Sequence, residues 1–254
     1  MITSNGRDGS KMILYDSLHT TEAENLKEAC MNVIEKKESE SGMSLSCIFE
    51  QFRQICCCMD SFEMDMAVNE SLLSLMQHLE RNASGVEGLF INTRSSESMN
   101  SCVSLLEFNE KIDYEKIDVL DLAMAFRVYV EKNLKAIIPV KVRQSVIEAY
   151  KSNDEERKKV IISRIPFVLN DSHRIFLKSL KRVFQSMQDG VEDVQRKMDE
   201  VYEVFGPLVV RKSEDMFDTS TSVLKQILVD LMNANFDELP KSFFSAANGI
   251  QNGS

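Results

Sequence analysis

Three histidines, His19, His78 and His173, and six cysteines, Cys30, Cys47, Cys56, Cys57, Cys58 and Cys102, are the side chains in this sequence best suited to nucleophilic, general-base or metal chemistry. Such chemistry needs groups that converge on one point. The histidines fall in three separate helical contexts, and the cysteines form neither a CxxC pair nor a zinc spacing with histidine. Cys56, Cys57 and Cys58 are consecutive, so on a helix they point about 100° apart and share no face. They read as reduced thiols in packed or exposed positions. A GxxxxGK[ST] cradle and a GxGxxG turn are both missing, so a nucleotide involved in this protein's work belongs to a partner. No metal or cofactor is expected.

Charge narrows the partners. With 40 Asp+Glu against 30 Lys+Arg, the net charge is −10, which disfavours nucleic acid and a broadly anionic membrane surface. Local basic runs at Arg157-Lys158-Lys159, Lys178-Lys181-Arg182 and Arg211-Lys212 remain open to an acidic partner face or peripheral contact with phospholipid, and the alternative is a set of solvated helix faces.

The elements that must position any site read as helices. The 254 residues suffice for a full core, and 9 Gly and 4 Pro are too few for a turn-rich β architecture. Apolar periodicity marks helices over 20–38, 44–58, 67–81, 96–108, 114–133, 140–151, 154–165, 171–188, 191–205 and 217–235. The first two are expected to pair as a hairpin. Asn69, Ser96, Asn153 and Asp171 are the expected caps, and Asn82-Ala-Ser-Gly85, Gly190 and Gly206-Pro207 the expected stops. The domain reading is an N-terminal helical extension over 1–60 with a disordered start, an all-α domain over 61–239 and a disordered tail over 240–254. Neither a span of roughly 18 apolar residues nor a secretory signal is evident, so a cytoplasmic protein is expected.

Within the larger domain three segments stand in order. They are Gly85-Val-Glu-Gly88-Leu-Phe90-Ile91-Asn-Thr-Arg94-Ser-Ser96, then Leu122-Ala-Met-Ala-Phe126-Arg127-Val-Tyr-Val-Glu131-Lys-Asn-Leu134 running on to Pro139, and Glu200-Val-Tyr-Glu-Val204-Phe205-Gly206-Pro207-Leu208-Val-Val-Arg211. Together they resemble the Rho GTPase-activating (RhoGAP) domain, with its GxFRxSG, LLKxFLRELPxPLIP and NLAxVFGPxLLR patterns. Ile165-Pro166 followed by His173 and Leu177-Lys-Ser-Leu180 is similar to the family's LPxxHxxTLxxL stretch.

The resemblance implies an all-α bundle that regulates a Rho-family small GTPase carrying GTP and Mg. In such a complex an arginine supplied in trans accelerates hydrolysis by about 10³ to 10⁵. The family's arginine follows Gly-x-Phe, and that position here is Ile91, which cannot donate a hydrogen bond or neutralise charge. Arg94, three residues on, is the only nearby replacement and thus the candidate catalytic residue. The family's Lys falls on Arg127, its Arg on Glu131 and its Asn on Glu200. The resemblance makes Ile91, Arg127, Glu131, Glu200, Pro207 and Arg211 the GTPase-binding set. Glu131 and Glu200 either pair with Arg94 or Arg127 or repel an acidic partner face. The frame survives while polar groups change, which leaves two readings: an activator in trans, or an inactive GAP-like scaffold or interaction module.

Overall fold

The structure, a computed structural model, describes residues 12–35, 68–93, 95–134, 137–189, 193–210, 219–240 and 243. The expected helix over 44–58, and with it the hairpin, lies outside these residues. Among the described residues there are ten α-helices: α1 (Thr20–Glu35), α2 (Glu70–Asn82), α3 (Glu97–Glu107), α4 (Val119–Asn133), α5 (Val140–Ser152), α6 (Glu155–Ile162), α7 (Ile165–Val168), α8 (Asp171–Ser186), α9 (Val194–Val210) and α10 (Thr221–Asn233). The all-α reading is therefore correct.

Six of these helices begin where a short polar side chain satisfies a first-turn N–H group. Asn69 accepts from the Leu72 N–H, Ser96 from Met99, Asp118 from Leu120, Asp154 from Arg157, Asn170 from His173 and Ser220 from Val223. Two of the expected caps shift by one residue. Asn153 instead closes α5 in a left-handed conformation, φ 57°, leaving Asp154 to open α6, and Asn170 caps α8 in place of Asp171. The helix expected over 114–133 is broken, because Tyr114–Lys116 form a single 3₁₀ turn before Asp118 opens α4.

Gly206-Pro207 does not stop a helix, contrary to expectation: α9 continues to Val210 with Pro207 inside it. Proline removes one amide donor there, and packing holds the turn together. A Cβ on Gly206 would lie 2.9 Å from the Leu224 carbonyl carbon and the Lys225 nitrogen, so α9 and α10 touch backbone to backbone at this residue.

The beginning of the chain also departs from expectation. Residues 12–16, within the start expected to be disordered, include a strand β1 (Met12–Leu14) that pairs antiparallel with β2 (Glu238–Pro240), Ile13 opposite Leu239. Tyr15 follows, its N–H bonded to the Asp237 carbonyl and its ring 4.1 Å from the Arg174 guanidinium carbon. Leu26, Cys30 and Ile34 of α1 and Leu239 of β2 belong to the same buried cluster as α2 to α10. No helix of the described residues is long and apolar enough to cross a membrane.

Candidate functional site

The first of the three motif segments is a loop between α2 and α3. Gly88 has φ 70°, a left-handed conformation that glycine adopts without strain, and a Cβ there would force the Asn92 side chain to move. The N–H groups of Ile91 and Asn92 both donate to the Gly88 carbonyl at 3.1 Å. Phe90 is also left-handed, φ 68°, a conformation that costs a residue with a Cβ on the order of 1 kcal/mol. Its ring offsets that cost. It is 1% exposed and lies 5.7 Å from Phe126 of α4, 6.4 Å from Phe184 of α8 and 5.2 Å from Phe205 of α9, centroid to centroid.

Two cations hold the loop's carbonyls. Arg127 of α4 donates from Nη1 to the Phe90 oxygen at 3.0 Å, and Lys197 of α9 donates to the Val86 oxygen at 2.5 Å. Burial pulls the Lys197 ammonium below the usual lysine range, while Glu87 acts in the opposite direction. The Ser84 hydroxyl and the Gly85 N–H both donate to the Asp189 carbonyl. The loop is thus fastened to α4, α9 and the end of α8. Helix α3, which follows it, is oriented by Ser98, whose hydroxyl donates at 2.5 Å to the buried carboxylate of Asp121 on α4.

The expected site residues divide. Ile91 is half-buried and packs against the hydrophobic core beside Phe90. Arg127 approaches it through the Phe90 carbonyl. Pro207 is half-buried on α9, two residues beyond Phe205, and Glu200 is exposed on the same helix. Glu131 is exposed in the last turn of α4. Arg127 is bonded to loop backbone. Arg94 and Arg211 lie outside the described residues.

Lys197 was not anticipated. Its one sequence signal is its place three residues before Glu200 on a helix, since residues at i and i+3 share a face. Of the histidines, His173 brings Nδ1 to 3.0 Å from the Ile137 oxygen, and His78 stacks on Tyr114 at 4.6 Å. Burial raises the Cys30 and Cys102 thiols to about 11, which leaves them protonated and poor nucleophiles at neutral pH.

An apolar-anchored, cation-braced loop on an all-α frame defines the class, and comparison with known proteins gives the same answer. The profile of the RhoGAP domain matches residues 70–214, and the chain belongs to that family, whose members regulate Rho-family GTPases. It is 49% identical over 244 residues to an uncharacterized protein of Encephalitozoon cuniculi (strain GB-M1), covering 96% of this chain and 100% of that one. Among solved structures it is similar to the BH domain of GRAF, the GTPase regulator associated with focal adhesion kinase, with 14% identity, a TM-score of 0.49 and coverage of 70% of this chain and 93% of that one.

Proposed function

We propose that this protein binds the switch regions of a Rho-family GTPase carrying GTP and Mg, through the 83–96 loop and the adjoining faces of α4 and α9, and contributes no arginine from the usual finger position. One observation carries this reading: Arg127 braces the Phe90 carbonyl while the next residue, Ile91, packs against the core. The support for the loop is retained, and the group that would stabilise phosphoryl charge is replaced by a hydrocarbon. Ile91, Pro207 and the flanking residues Arg127, Glu131, Glu200 and Arg211 form the proposed contact surface. Its exposed carboxylates select against an acidic partner face.

Single-turnover GTP hydrolysis by a panel of Rho-family GTPases tests this, using the natural protein, Arg94→Ala and Ile91→Arg, alongside binding to GDP- and GTP-analogue-loaded forms. The natural protein is expected to prefer the triphosphate form without accelerating hydrolysis. Ile91→Arg is expected to accelerate it at least about tenfold, a small part of what a well-placed arginine supplies. Acceleration by the natural protein that vanishes in Arg94→Ala would make Arg94 the finger. Equal affinity for both nucleotide states across the panel would replace the GTPase reading with that of an interaction scaffold.

A further inference from the structure

A cleft of about 370 Å³ lies between α8 and the segment that follows α10. It uses none of the residues assigned to the GTPase-facing loop. Lys178, Lys181 and Arg182 stand at i, i+3 and i+4 on α8 and so share one helix face, and the opposite wall includes Ala234, Phe236 and Asp237.

The charges in this cleft do not cancel. Lys178 is ion-paired with Asp237. Lys181 donates to the Ala234 carbonyl at 2.9 Å and lies 5.8 Å from the Phe236 ring centroid, which leaves it two further N–H donors. Among the described residues no carboxylate lies within 4 Å of Lys181 or Arg182, the nearby Asp237 being bonded to Lys178. Three cations against one carboxylate leave two positive charges concentrated in a concavity of a protein whose net charge is −10. Partial burial works against the Lys181 charge, Asp237 opposes this in part, and an anion in the cleft would favour the charge further.

We propose that this cleft binds a phosphate monoester, the Lys181 ammonium and the Arg182 guanidinium together meeting its charge of about −2 at neutral pH. Arginine supplies a planar two-donor fork, and lysine supplies a point charge already oriented by the Ala234 carbonyl. A lipid headgroup and a soluble phosphorylated metabolite both present this chemistry. The proposal does not depend on the GTPase reading.

Two probes separate these sources in experiments on the full chain: glycerol 3-phosphate in titration calorimetry, and phosphatidylcholine vesicles with or without a phosphatidylinositol monophosphate in cosedimentation. Saturable binding is expected, weakened at least about tenfold in the Lys181→Gln/Arg182→Gln variant, since each lost hydrogen bond is charge-assisted. It is expected to persist in Arg157→Gln/Lys159→Gln, which removes the same formal charge elsewhere. Vesicle binding that needs the phosphorylated lipid identifies a headgroup site, and calorimetric binding alone identifies a soluble ligand. If the double variant melts early, Arg182→Gln alone, on an exposed side chain, is expected to weaken binding in the same direction. Absence of saturable binding to both probes, or an equal loss in the Arg157/Lys159 variant, would overturn the proposal.

Discussion

Phe90 shows how one side chain fixes the conformation of a loop. Its left-handed backbone is unfavourable alone, but its ring fills a space bounded by Phe126, Phe184 and Phe205. Burying a ring of that size is worth about 1.5–3 kcal/mol, more than the backbone strain. The carbonyl left behind is taken by Arg127, and the following side chain, Ile91, packs half-buried against the core. His78 allows a test at the same scale. Burial lowers its pKa from 6.5, partly opposed by Glu115, so around pH 6.5 this imidazole binds more protons in the unfolded chain than in the folded one. Stability is therefore fully present above the unfolded pKa and declines as pH falls through 6.5 toward the folded value. In urea titrations at a series of pH values, His78→Gln is expected to flatten that decline. An unchanged slope would assign it to other groups.

At the scale of elements, the α9–α10 contact governs the third motif segment. Gly206 lets the two backbones meet, and Lys225 of α10 reaches Asp199 and Glu203 of α9 at 3.4 and 3.3 Å. Those ion pairs are partly solvated and add little, so the close approach is the main constraint. Gly206→Ala would push α9 away from α10, and with it Phe205, the aromatic partner of Phe90. The expected loss is about 1–3 kcal/mol in chemical denaturation, accompanied by faster amide exchange at Ile91 and Asn92. A neutral or stabilising effect would mean that α10 can move aside at no cost.

For the molecule as a whole, the ends of the described chain close on each other. β1 pairs with β2, Arg174 joins Asp16 at 2.9 Å, and Lys178 joins Asp237. Leu239, fully buried opposite Ile13, is the apolar centre of this closure. Leu239→Ala is expected to cost about 2–4 kcal/mol and to lower cooperativity at the β1–β2 end first, measured by hydrogen exchange across 12–16 and 237–240. An effect below about 1 kcal/mol would show that the closure is peripheral to the core.

What could be read from the sequence is what depends on local chemistry. Helix content, the Asn69 and Ser96 caps, the aromatic and aliphatic frame, and the isoleucine at position 91 follow from side-chain type and periodicity, because an amphipathic stripe and a capping oxygen act within a turn or two. The RhoGAP resemblance was legible for the same reason, since its motifs are short and contiguous. Tertiary structure alone decided the rest. Pro207 stays helical because contact with α10 outweighs one missing hydrogen bond. Met12–Leu14 become a strand only because Glu238–Pro240 offer a partner more than two hundred residues away. The braces from Arg127 and Lys197 to the loop carbonyls, and the pairing of α8 cations with the segment after α10, join residues whose separation along the chain carries no local signal. Their geometry exists only once the core has brought the helices together.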